Sequence, residues 1–438
     1  MKDSFCSSPW FHIRINPTGH YLPCRWGYKD TPGEHTIANT TLTEYMNSSV
    51  MRNLRTALLS GEKPDMCHSC YAEDAVGKVS GRQKQLLKSV IRIEKFDNTF
   101  CASPHYNRFN FSFNNNGLTE AKPVDLQIDL GNTCNSACIM CTPTYSSKLA
   151  TEYVKLHKID SKLFKMPLRQ SNWADDPVLL QKFVDELANI PNIRYIHFLG
   201  GETLYLKSFY NVCNMLIEKG IAKNVSMGTT TNCTVYTPEL ENIIKEFKHV
   251  HLGLSVEAFH PVNDYIRHPS NIAQVTDNIN KFIALREKTG LHLSLRITPS
   301  ALSILHLDTL FRFMLENNIT AESCNILDDP ACLSLSVLPA DILKEALRRL
   351  RVVIDEYGLV SDSIPIINRR RADLTIPIIN QLATEYVSVL IASITAQKPE
   401  LIADFVNYIT AFEQVHNNKI LDYLPEYEEF LRSNGYKG

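Results

Sequence analysis

Leu126-Gln127-Ile128-Asp129-Leu130-Gly131-Asn132-Thr133-Cys134-Asn135-Ser136-Ala137-Cys138-Ile139-Met140-Cys141 decides how this chain is read. Residues 126–130 form an apolar strand, and three cysteines follow it, four and then three positions apart. Thiolates at that spacing can wrap one iron–sulfur cubane corner by corner from a single loop. A [4Fe–4S] cluster has four irons, so three cysteines leave one iron open to an outside ligand. A structural zinc usually takes four tetrahedral N/S ligands. The nearest histidine downstream of Cys141 is His157, and zinc stays open as the alternative on these residues alone.

Outward from that stretch, strand and helix alternate. Apolar strands are expected at 126–130, 193–199, 225–230, 250–256, 291–297 and 321–327. Between them Val275, Ile279, Phe282 and Ile283 make one buried helical stripe, and Thr237 with Pro238 reads as an N-cap and first helical residue. This alternation implies parallel pairing with right-handed crossovers. Six units predict an α/β fold, an open partial (β/α)6 barrel over residues 124–330. In such sheets chemistry sits at the carboxyl ends of the strands. Residues 331–438 read as a helical C-terminal extension, with Leu343, Leu347, Leu350 and Ile354 as one stripe and residues 400–413 as another. A helical cap is the favoured reading of that extension, a substrate lid the alternative.

Residues 1–75 are rich in turns. Phe11 to Ile15 reads as a strand, Asn16-Pro17-Thr18-Gly19 as a tight turn and His20 to Pro23 as the returning strand. A helix from Thr43 to Leu59 follows, stopped by Gly61 and Pro64, and then Cys67-His68-Ser69-Cys70. Cys6 and Cys24 flank the hairpin. A hairpin presenting one pair and a knuckle presenting the other would bring four thiolates to one site, which fully ligates either zinc or a [4Fe–4S] cluster. On spacing alone zinc is the better reading of this set. Residues 76–123 look like a connecting region, with a basic helical stretch and the polar run Asn107 to Asn116.

Composition sets limits. The 438 residues carry 45 basic and 47 acidic side chains, a net charge of -2, so no broad field recruits nucleic acid or membrane. The first residues hold no signal-peptide stretch, and no segment is expected to reach the ~20 apolar residues of a membrane span; a cytoplasmic location is the expectation. Twelve cysteines in a reducing compartment point to metal or redox chemistry. Seven fall into the two sets; Cys101, Cys213, Cys233, Cys324 and Cys332 read as small buried apolar residues. Arg348-Arg349-Leu350-Arg351 and Arg369-Arg370-Arg371 read as solvated faces.

Cys-x3-Cys-x2-Cys after a first parallel strand resembles the signature of the radical S-adenosylmethionine superfamily. Further residues resemble family motifs in order along the chain. Gly200-Gly201-Glu202 is similar to the Gly-Gly-Glu motif, with the glycines letting backbone approach the cofactor and Glu202 accepting from the methionine ammonium. Asn232 ends the third strand, where the family places polar side chains near the cofactor. Ser255, in Ser255-Val256-Glu257, is similar to the Ser-x-Asp segment that reaches the ribose, with Glu257 in place of aspartate. Arg267 resembles the arginine near the methionine carboxylate. Met140 stands where the family often has an aromatic residue and can pack on adenine. The N-terminal pattern, Cys6-x12-Gly19-x4-Cys24 followed by Cys67-x2-Cys70, looks like the twitch domain, the short form of the SPASM domain. That reverses the zinc reading in favour of an auxiliary [4Fe–4S] cluster, although such domains commonly follow the barrel.

The resemblance implies S-adenosylmethionine and two [4Fe–4S] clusters as cofactors, one held by Cys134, Cys138 and Cys141 and one by Cys6, Cys24, Cys67 and Cys70. It implies reductive cleavage of S-adenosylmethionine to a 5′-deoxyadenosyl radical that abstracts a substrate hydrogen atom, with a flavodoxin- or ferredoxin-type electron donor. The auxiliary cluster implies a net oxidation: peptide maturation by cross-link or dehydrogenation, or dehydrogenation of a small molecule such as a sugar or cyclitol. A non-catalytic, zinc-stabilised binding protein is the reading from another class. No catalytic side chain beyond the cluster is identified.

Overall fold

The computed structural model describes residues 4–24, 34–75, 80–86, 104–167, 172–190, 192–359 and 375–438. Cys101 and Arg369-Arg370-Arg371 lie outside the described residues. Strands β1 (His12–Ile15), β2 (Tyr21–Leu22), β3 (Asp125–Asp129), β4 (Tyr195–Leu199), β5 (Ser226–Thr231), β6 (His249–Ser255), β7 (His292–Arg296) and β8 (Thr320–Ala321) form one sheet. Its order is β2-β1-β3-β4-β5-β6-β7-β8, so the sheet is unclosed, and β3 to β8 are parallel with helices between them. This is the expected α/β partial barrel.

The N-terminal hairpin is part of that sheet. Gly19, at φ +86°, and Asn16 build its turn, with Asn16 Oδ1 accepting from the Thr18 and His20 backbone N–H groups. β1 then pairs parallel to β3, His12 opposite Asp125 and Arg14 opposite Gln127. Alternation sorts the two faces of the sheet. Ile13, Ile15, Leu126, Ile128, Ile196 and Phe198 belong to the main core. The opposite face carries His12, Arg14, Asp125, Gln127 and Asp129. There Arg14 donates to Asp129 Oδ2 at 2.6 Å and to Tyr145 Oη at 2.8 Å. A strand buried on both sides is normally apolar throughout; these polar residues are kept there by pairing with one another.

Helix starts follow local chemistry. Thr237 caps the helix Pro238–Glu246, its Oγ1 accepting from Leu240 N at 3.1 Å. The expected single helix of residues 43–59 is two, Leu42–Met46 and Ser49–Ser60, because Thr41 and Ser48 each cap a start. The last expected strand shortens to Thr320–Ala321, since the polar, Pro330-ended stretch after it leaves the sheet and Leu327 N donates to Pro299 O. The polar run of the connecting region is largely a helix, Pro104–Asn114. Phe109 packs with Phe5, Trp10 and Phe11, and Trp10 Nε1 donates to Ser112 Oγ at 2.8 Å, so this helix completes the N-terminal unit.

The C-terminal region is helical as expected, with Ala340–Glu356, Thr375–Thr395 and Ile402–His416 as its longer helices. One expectation is corrected here. Thr375–Thr395, at 21 residues, is long and apolar enough by length and composition to cross a membrane. Its Ile378, Ile379, Leu382, Ala383, Tyr386 and Leu390 are buried in the core of the protein, while Ile376 and Ile391 are exposed.

Candidate cofactor site

The carboxyl ends of β3 to β6 meet around the loop that carries Cys134, Cys138 and Cys141. The three cysteines are half-buried, and close enough for their charges to act on one another. Burial first, and then the neighbouring thiols, push Cys134 and Cys141 up to about 12; burial also raises Cys138, with the Arg267 charge opposing it. Donors are aimed at the sulfurs. Ser136 N points at Cys134 Sγ from 3.4 Å and Arg267 Nη1 at Cys138 Sγ from 3.9 Å. Such donors suit thiolates bound to iron better than thiols.

The loop is held from several sides. Ala137 N donates to His268 O and Ile139 N to Ile266 O, stitching it to the segment after β6. Ser146 Oγ donates to Ser136 O at 2.7 Å. Gly200 and Gly201, at φ +112° and +49°, face the backbone at the loop's start: a Cβ on either would overlap the carbonyl oxygen of Gly131 or Thr133. Their small size therefore serves contact with the cysteine loop. Glu202 N donates to Thr133 O at 3.1 Å.

Glu202 is buried, and its carboxylate joins two strand ends. Oε1 accepts from Thr231 Oγ1 at 2.7 Å and from Leu204 N at 3.1 Å; Oε2 accepts from Asn232 N at 2.6 Å. Burial raises its pKa, opposed by these hydrogen bonds. Asn232 in turn donates from Nδ2 to Asn135 Oδ1 and Ser136 Oγ inside the cysteine loop. Ser255 closes β6, its backbone N–H directed at Cys233 Sγ. Met140 is half-buried against the core.

Arg267 is buried beside the cysteine loop and ion-paired there. Nη2 donates to Glu257 Oε1 at 2.5 Å, and Glu257 Oε2 also accepts from Thr298 N. Burial works against the guanidinium charge, but Glu257 and Cys138 more than offset it and hold the side chain protonated. Its Nε is buried without a partner among the described residues. An orphaned donor beside a cysteine triad fits an anionic group that belongs there.

The second set also comes together. Cys6 is close enough to feel the charges of Cys24, Cys67 and Cys70. Burial pushes Cys67 up to about 12 and raises Cys6 and Cys70. The backbone N–H of Ser8 is aimed at Cys6 and that of Arg82 at Cys70. Ser4 Oγ and Ser8 Oγ are buried without partners among the described residues. No three Cys, His, Asp or Glu side chains among the described residues close tightly enough on one ion.

Sequence reasoning missed three supports. Asn172 receives Asn132 N on Oδ1 at 2.8 Å and donates to Thr133 Oγ1. Tyr408 Oη donates to Ile139 O at 2.9 Å. Arg82 donates to Phe5 O and pairs with Asp74 beside the second set. None lies in a spaced motif, and each meets its site only through the fold.

A family profile described as the radical SAM superfamily matches residues 128–298. The partial barrel, from β3 to the end of β7, is thus similar to the radical SAM superfamily. A second profile, an iron–sulfur cluster-binding SPASM domain, matches residues 6–71. The radical SAM domain binds S-adenosylmethionine and a [4Fe–4S] cluster, and the SPASM domain an auxiliary iron–sulfur cluster. No curated protein matches the chain. Among solved structures, native anSMEcpe with bound AdoMet is 18% identical with a TM-score of 0.38, over 54% of this chain and 62% of that one. Streptococcus suis SuiB bound to the precursor peptide SuiA is 12% identical with a TM-score of 0.36, over 81% and 70%. The chain thus spans less than two thirds of the first of these structures.

Proposed function

We propose that this protein cleaves S-adenosylmethionine reductively at a cluster held by Cys134, Cys138 and Cys141, and uses the resulting radical to oxidise a peptide. The observation that carries the reading is that two cysteine sets, three thiols and four, are gathered on loops and helices around one sheet. Three ligands leave an iron free for the cofactor; four leave none, which suits Cys6, Cys24, Cys67 and Cys70 to electron transfer. The bound groups supply a one-electron cleavage and the hydrogen-abstracting radical it releases.

The chain's own residues bind and orient. Arg267 sets a cation against Cys138, and Glu257 fixes its direction. Glu202 and Asn232 lock the ends of β4 and β5 to the cysteine loop, which pre-organises the cofactor's surroundings. Gly200, Gly201, Ser255 and Met140 complete the cofactor's side of the site. A peptide substrate is supported by the SPASM match, since domains of this kind accompany peptide maturases.

The test is anaerobic reconstitution with iron and sulfide, followed by EPR. Two clusters are expected, of which S-adenosylmethionine perturbs one. Cys134→Ala should abolish dithionite-driven formation of 5′-deoxyadenosine and leave the second signal intact. Bound zinc with no iron would overturn the reading. Deuterium transfer from labelled peptides into 5′-deoxyadenosine supports the peptide substrate; transfer only from a sugar or cyclitol overturns it.

A further inference from the structure

We propose that the face formed by the helix Ser147–Ile159 and the turn after it docks an acidic one-electron carrier protein; this rests on the radical chemistry proposed above. The face carries Lys148, Lys155, Lys158, Lys162 and Lys165 against two acids, Glu152 and Asp160. Both acids are engaged. Glu152 Oε2 pairs with His416 Nε2 at 2.8 Å, and Asp160 Oδ1 accepts from the Lys162 and Leu163 backbone N–H groups. Lysines pair with carboxylates elsewhere, as at Lys219–Asp185 and Lys419–Glu413. Among the described residues, none of these five does.

Apolar side chains lie exposed between the lysines: Val154 at 38%, Ile159 at 42% and Met166 at 53%. An apolar centre with a charged rim is the anatomy of a protein interface. On a chain whose net charge is -2, so local a positive face steers an acidic partner. The apolar centre sets it apart from a surface made only to neutralise phosphates.

The face also backs directly onto the cofactor loop. Tyr153 is raised by burial and by the nearby charge of Cys141, its ring lies 5.5 Å from that of Phe164, and Phe164 lies 4.9 Å from Tyr408. Tyr408 bonds Ile139 O, between Cys138 and Cys141. Phe164 immediately precedes Lys165 and Met166. One packed aromatic layer thus separates the cysteine loop from the lysine face. Electron transfer falls steeply with distance, so a carrier seated here would be well placed.

The experiment titrates fluorescent flavodoxin against the full-length, iron-loaded protein and against the surface triple variant Lys155→Glu, Lys158→Glu, Lys162→Glu. Binding should weaken about tenfold or more in the variant, and in both proteins as salt rises to ~0.15 M, where the Debye length is ~8 Å. Flavodoxin-driven cleavage of S-adenosylmethionine should slow in step, while dithionite-driven cleavage keeps the unmodified rate. Equal flavodoxin binding by both proteins overturns the docking face and leaves the radical reading standing. Failure of dithionite to drive cleavage in the unmodified protein overturns the radical reading, and this one with it. Binding of tRNA that the variant loses, with flavodoxin binding untouched, assigns the face to nucleic acid and overturns the proposal.

Discussion

Gly201 shows how much a single residue here depends on its neighbour across the sheet. Its φ of +49° lies in the left-handed region, and a Cβ would overlap Thr133 O, a backbone atom that cannot rotate away. Gly201→Ala is therefore expected to cost more than about 2 kcal/mol in thermal or denaturant unfolding. It should also lower iron occupancy at Cys134, Cys138 and Cys141 while the N-terminal set loads normally. Equal iron at both sites would show that the contact does not position the cysteine loop. The Gly-Gly-Glu motif was legible in the sequence; the reason for its glycines was not. That reason depends on the register of β3 on β4, with Asp129 opposite Leu199, which brings residues 131–133 over residues 200–201. The same holds for Arg267: its type and place were readable, but its pairing with Glu257 and Cys138 required the strand ends to be set side by side.

At the scale of elements, the C-terminal helix Ile402–His416 acts as a buttress for the cofactor loop. Tyr408 satisfies Ile139 O, and His416 stacks on His268 at 4.0 Å, whose own carbonyl receives Ala137 N. Both contacts bear on the chain between Cys134 and Cys141. Tyr408→Phe keeps the aromatic packing and leaves a buried carbonyl without its donor, a loss of about 1–3 kcal/mol. The measurement that separates this from general destabilisation is spectroscopic. The EPR signal and midpoint potential of the S-adenosylmethionine cluster should shift, and those of the auxiliary cluster should stay fixed; shifts of both together would mean a global effect. The apolar stripe at 400–413 identified this helix from sequence alone, because burial imposes a period. Its partner could not be read, since a tyrosine hydroxyl and a distant carbonyl leave no spacing to detect. The shortened β8 and the split helix at Ser48 were lost for the opposite reason: a local cap or a polar stretch overrode an otherwise continuous pattern.

For the molecule as a whole, the placement of the auxiliary unit ahead of the barrel is resolved by β1. The hairpin precedes the barrel by about a hundred residues of chain, yet β1 lies directly beside β3, whose end begins the cysteine loop. One sheet therefore fixes both cysteine sets in a common frame. Arg14 and Asp129 clasp that junction across the polar face, with side chains almost wholly buried. Removing one partner of a buried pair strands the other charge, whereas replacing both by apolar residues of similar volume can be neutral. Arg14→Met alone should thus cost roughly 3–5 kcal/mol, and adding Asp129→Leu should recover much of that loss. If the pair does no more than fill space, the single and double variants will unfold alike. If it joins the two units, Arg14→Met should also speed hydrogen exchange in β1 and β2 ahead of β4 to β7, because among the described residues the hairpin pairs with the rest of the sheet through β3 alone, while the central strands are paired on both sides.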